Sequence, residues 1–135
     1  MKPIGHWLSR TDQALTTAMD ALLDEFGLTR LGWQVLNVVR DSPAAGDAAV
    51  HTALAAHATA AGLDSAIAAV LDGGWAARPE PGRLALTDDG RARLALAGER
   101  VGAFRELSTA GISPQEYRTA VSVLERMTRN LTADR

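Results

Sequence analysis

Apolar residues return at steps of three and four through most of this chain, and the rhythm changes in one short place, around Pro79-Glu80-Pro81-Gly82. A spacing near 3.6 residues lines one face of a helix, whereas two prolines and a glycine in four residues are turn chemistry. The chain is therefore read as a series of helices with one hairpin between Trp75 and Leu86. With 135 residues it has the length of one domain, and its six aromatic side chains and abundant alanine suit helices better than sheets.

Ile4, Leu8, Leu15, Met19, Leu22 and Phe26 mark a first helix over about 4–26, ended by Gly27. Leu28, Leu31, Val35 and Val39 mark a second, with Thr29 as its N-cap and Asp41-Ser42-Pro43 as its break. Asp47 is the expected cap of a third helix carrying Val50 and Leu54. The connection Ala58 to Gly62 leads to a fourth, with Leu63, Ile67, Val70 and Leu71, stopped by Gly73-Gly74. Two short helices joined by a tight turn, over about 47–73, are a helix-turn-helix pattern.

Thr87 with Asp88 and Asp89 opens a helix over about 87–110, in which Gly90 reads as an inexpensive exception. Ser113-Pro114-Gln115-Glu116 is a capping box with proline in the first turn, and opens a last helix over about 113–132.

The absence of cysteine excludes disulfides and thiolate metal sites, and no metal or cofactor is expected. No stretch is long and apolar enough for a signal peptide or a membrane span, so a cytoplasmic protein without membrane partners is expected. No phosphate loop, nucleophile with its base, or carboxylate constellation is present, which argues against an enzyme.

The order of helices, helix-turn-helix and hairpin resembles the MarR family of winged-helix regulators over residues 4 to 132. The resemblance is carried by Gly27-Leu28-Thr29 before Trp33-Gln34-Val35-Leu36, by Gly74-Trp75, and by Leu86-Thr87-Asp88-Asp89-Gly90. It implies a mainly α fold with a small β-hairpin, a winged helix-turn-helix with its wing at about 75–86, and dimerisation helices at both ends. The family's fourth helix enters the DNA major groove and its wing touches the minor groove. On that basis Thr59, Ser65, Arg78, Arg83 and Arg91 are the expected contacts to double-stranded DNA, with His51 and His57 as further candidates.

A homodimer also follows from the residues, because the terminal helices carry more apolar surface than a winged-helix core needs. The expected interface is Ile4, Trp7, Leu8, Tyr117, Val121, Leu124 and Leu131. The family commonly holds aromatic effectors, and the resemblance puts Trp7, Met19, Trp33 and Phe104 around such a small molecule, with His6 and Arg30 as polar partners. The bland alternative is that Trp33 and Phe104 fill the core.

Charge opposes the resemblance. From Ser42 to Ala77 there is no Lys or Arg, and Asp47, Asp64 and Asp72 make the stretch formally −3, in a chain of net charge −2. The outer face of the fourth helix offers Ala61, Asp64, Ser65 and Ala68, none able to make the bidentate guanine contact of arginine. Near the presumed DNA face, positive charge is concentrated only at Arg78, Arg83, Arg91 and Arg93. Two readings follow: a dimeric regulator that binds DNA weakly, and a dimeric winged-helix module that has lost operator recognition and binds a small molecule or a partner protein.

Overall fold

A computed structural model describes residues 1–133. Among the described residues six helices and one hairpin run in the order α1 (Ile4–Asp24), α2 (Arg30–Asp41), α3 (Asp47–Leu54), α4 (Ala60–Asp72), β1 (Ala76–Ala77), β2 (Ala85–Leu86), α5 (Asp88–Ser108) and α6 (Pro114–Thr132). The chain divides into two compact units, Met1–Val101 and Gly102–Arg135.

The first unit is built around α2, which packs against α1, α3, α4 and β2. Val35, Leu36 and Val39 of α2 are buried with Val50 and Leu54 of α3 and Leu63, Ile67 and Val70 of α4. Trp75, Leu84 and Leu86 close this core from the hairpin, and Leu94 and Val101 from α5. Each such side chain withdrawn from water contributes about 1.5–3 kcal/mol before chain entropy is set against it.

Helix boundaries follow local chemistry. Thr29, Thr59 and Thr87 each accept a hydrogen bond from the backbone N–H three residues on, at 3.0, 3.1 and 2.8 Å. Ser113 and Glu116 exchange the two bonds of a capping box at 3.1 and 2.9 Å. At the end of α4, Gly74 takes φ +76, letting Trp75 N–H reach the Val70 carbonyl and Gly74 N–H the Leu71 carbonyl. That double closure is why a glycine, free of the Cβ penalty, stands there.

Three expectations need correction. Asp47 does not cap α3; Gly46 holds the cap position, and Asp47 is the first helical residue. A side chain at Gly46 would collide with the Gly82 carbonyl, so only glycine fits where hairpin and helix start meet. The fourth helix begins at Ala60 under a Thr59 cap, not after Gly62, because the Thr59 hydroxyl is placed to receive Gly62 N–H. Gly90 is no cheap exception: a Cβ there would fall on the Trp75 carbonyl oxygen, which already accepts Thr87 N–H. The apolar stripe of α1 docks near its C-terminal end, where Leu23 is buried and Met19, Leu22 and, just beyond the helix, Phe26 pack against the core, while Ile4, Leu8 and Leu15 are exposed.

In the second unit α6 is amphipathic, with no buried residue. Leu124 is half-buried, whereas Tyr117, Val121 and Leu131 are exposed. Among the described residues no helix is long and apolar enough to cross a membrane.

Candidate nucleic-acid interface

The helix pair α3–α4 is held from within by Val50, Leu54, Leu63 and Ile67, which leaves its outer face to polar and small residues. Ala60, Ala61, Asp64, Ser65 and Ala68 are exposed along α4. Across the pair, His51 Nε2 meets Asp64 Oδ1 at 2.8 Å. Thr59, also exposed, uses its hydroxyl oxygen as the helix cap and keeps its hydroxyl hydrogen to donate.

The hairpin pairs Ala76 with Leu86 and Ala77 with Ala85, antiparallel. It is shorter than the span from Trp75 to Leu86 suggests: the ladder stops at Ala77 and Ala85, and Arg83 bridges Gly46 instead. Leu84 N–H donates to the Ala45 carbonyl at 3.0 Å, and Asp47 N–H to the Gly82 carbonyl at 3.3 Å. The segment before α3 is thus a third edge of the wing, and Ala45 is buried there.

The arginines expected to meet phosphate are all engaged with carboxylates of their own chain. Arg78 makes a two-pronged contact with Asp47, Nη1 to Oδ1 at 2.6 Å and Nη2 to Oδ2 at 3.0 Å. The Arg78 hydrogen bond holds the Asp47 carboxyl below its ordinary pKa, against a smaller opposing effect of burial. Arg83 lies 3.6 Å from Glu80 and donates to the Pro43 carbonyl at 3.4 Å. Arg91 pairs with Asp88 at 3.0 Å. Arg93 is 3.6 Å from Asp89, donates to the Gly73 carbonyl at 3.0 Å, and lies 3.8 Å above the Trp75 ring. Its guanidinium therefore ties the α4 end to α5 through a cation–π contact.

The residues expected around a small molecule are placed as follows. Met19 and Trp33 are partly buried against the core of the first unit, Trp7 is exposed and meets the His6 ring edge-on at 5.0 Å, and Arg30 donates to Thr16 Oγ1 at 3.5 Å. Phe104 belongs to the second unit. Among the described residues no group of three or more His, Cys, Asp or Glu side chains is placed to hold a metal ion.

No family model matches the chain, and no curated protein matches its sequence. Solved structures do. A MarR family protein of Mycobacterium tuberculosis, crystallised in complex with DNA, is 26% identical, with a TM-score of 0.73 over 94% of this chain and 98% of that one. A MarR family transcriptional regulator of Streptomyces coelicolor is 19% identical, with a TM-score of 0.75 over 96% and 94% of the two chains. The reduced form of MarR from Escherichia coli is 18% identical, with a TM-score of 0.72 over 94% of each chain. At those lower identities the likeness is one of fold.

Proposed function

For a chain that shares the winged-helix fold of MarR family transcriptional regulators over nearly its whole length, we propose a dimeric DNA-binding regulator of low intrinsic affinity. The observation that carries this reading is the fit of 94% of the chain to a neighbour crystallised on DNA. Sterically, nothing on α4 blocks a groove: its exposed residues are alanines, Ser65, Asp64 and, at its C-terminal end, Asp72. Thr59, Ser65, Arg78, Arg83 and Arg91 remain the residues proposed to meet DNA, the first two through hydroxyls that position more than they specify. Low affinity follows from the electrostatics, since cation contacts to phosphate supply a large share of the binding free energy and Arg78, Arg83, Arg91 and Arg93 each have a carboxylate beside them.

The dimer is supported by exposed apolar side chains that a lone chain leaves in water. Tyr117, Val121 and Leu131 on α6, and Ile4, Trp7 and Leu8 on α1, are the proposed interface, with the half-buried Leu124 among them. A small aromatic effector at Trp7, Met19, Arg30, Trp33 and Phe104 belongs to the same proposal. Mass spectrometry of small molecules that copurify with the protein tests it.

The paired arginines favour a second reading, a dimeric module that has lost operator recognition and binds a small molecule or a protein. A mobility-shift titration on the DNA upstream of its own gene separates the two. A shift at about 50 mM salt that fades as salt rises supports the regulator, and no shift there with micromolar protein supports the module.

A further inference from the structure

The geometry points to Asp47 as the residue that sets how tightly this protein holds DNA, by occupying the Arg78 guanidinium that a phosphate would otherwise take. The inference rests on the DNA-binding reading above and assigns its regulation within the chain.

The four arginine pairs are not equivalent. Arg83–Glu80, Arg91–Asp88 and Arg93–Asp89 join residues three or four apart, at 3.6, 3.0 and 3.6 Å, through carboxylates that are 66–102% exposed. Exposed pairs of that kind are weak, and a phosphate can replace the carboxylate at small cost. Asp47–Arg78 joins residues 31 apart through two parallel contacts, the fork geometry in which arginine and carboxylate bind best. The Asp47 side chain is 35% exposed and the Arg78 side chain 37%, so solvent competes less than at the other pairs.

Asp47 is also fixed where it stands. Its backbone N–H is bonded to Gly82, and its carboxylate sits in the first turn of α3, where the helix dipole favours a negative charge. The carboxylate therefore does not swing aside freely when a phosphate approaches.

The consequence is numerical. Between Ser42 and Ala77 no other lysine or arginine can take over, so with Arg78 cancelled the helix pair brings only negative formal charge to DNA. Removing the charge of Asp47 while keeping its shape releases one cation at the wing base in each protomer.

The test is Asp47→Asn in the full chain, with affinity for the upstream duplex and for a scrambled duplex measured by fluorescence anisotropy from about 50 to 200 mM salt, alongside a thermal melt. The variant is expected to bind both duplexes roughly threefold to tenfold more tightly at the low-salt end, with a log–log salt slope steeper by about 0.9 per protomer. Arg78→Gln in the native background leaves the Asp47 charge unpaired and is expected to weaken binding, and in the Asp47→Asn background it is expected to erase the gain. If Asp47→Asn does not fold, Asp47→Ser, which suits a helix start, takes its place. Unchanged affinity and slope in a folded variant overturns the inference while leaving DNA binding intact. Weaker binding with an unchanged melt overturns it too, since Asp47 would then be presenting Arg78 rather than masking it. Absence of any shift for native protein and variant alike removes the DNA reading, and this inference with it.

Discussion

The helix-turn-helix region and α6 solve opposite problems. Around α3, α4 and the wing nearly every large apolar side chain is inside, and Leu63, Ile67 and Leu84 are almost completely sealed from water. Along α6 the apolar stripe is as regular, yet no residue is buried. A region that has spent its apolar side chains on itself can act only through its polar surface, and one that has kept them exposed still requires an apolar partner. What the protein recognises should therefore be set by the charge pairs of the first region, and what it assembles with by the stripe of the second.

The largest expected effect breaks this contrast from the core side. Leu63→Ala should cost about 2–5 kcal/mol of unfolding free energy in urea titration, because the surroundings cannot collapse fully into the space left. The same truncation at exposed Leu131 should change the stability of an isolated protomer by under about 0.5 kcal/mol. Equal losses at the two sites would show that α6 is as self-sufficient as the core. Next in size, Leu124→Asp should convert a dimer to a monomer in analytical ultracentrifugation, since a carboxylate would be buried among apolar neighbours. A variant that still sediments as a dimer places the interface elsewhere.

Smaller effects sharpen the charge side. Replacing Arg78 and Arg83 together by Ala should weaken DNA binding about equally across sequences. With Arg78 already masked, the salt slope should fall by about one per protomer rather than two. Unchanged affinity would remove the wing from the interface. The smallest effect is on acid stability. The carboxyl of Asp47 is held below its ordinary value in the folded chain, so its contribution is fully present above the unfolded value of about 4 and is lost as pH falls through the lower, folded value. Asp47→Asn should flatten that acid limb of the melting temperature, and a limb of unchanged steepness would show that other carboxylates govern it.

Features that depend on neighbours in the chain were readable before any coordinates: the Thr29 and Ser113 caps, the Gly74 stop and the Thr87 start all lie where composition puts them. Features that depend on distant backbone were not. Gly46 and Gly82 meet across 36 residues and Gly90 meets Trp75 across 15, and nothing local distinguishes such glycines from dispensable ones. The same holds for the site. The stretch of the helix pair without cations is visible in the sequence, and so are the arginines at the wing base. That Asp47 would sit against Arg78 was not, because the pairing exists only once β1 is brought alongside the start of α3. A carboxylate at a helix start already has a sufficient local explanation, and this one hid a second.

Sewing the hairpin to the residues before α3 has a kinetic consequence. Leu84 and Asp47 donate their amide hydrogens across that seam, so neither can exchange with solvent unless wing and helix part. Their deuterium uptake should track that of Val50 N–H, which donates to the Gly46 carbonyl within the first turn of α3. A wing tied in this way opens when the helix frays, as one cooperative unit, instead of flapping as a separate finger.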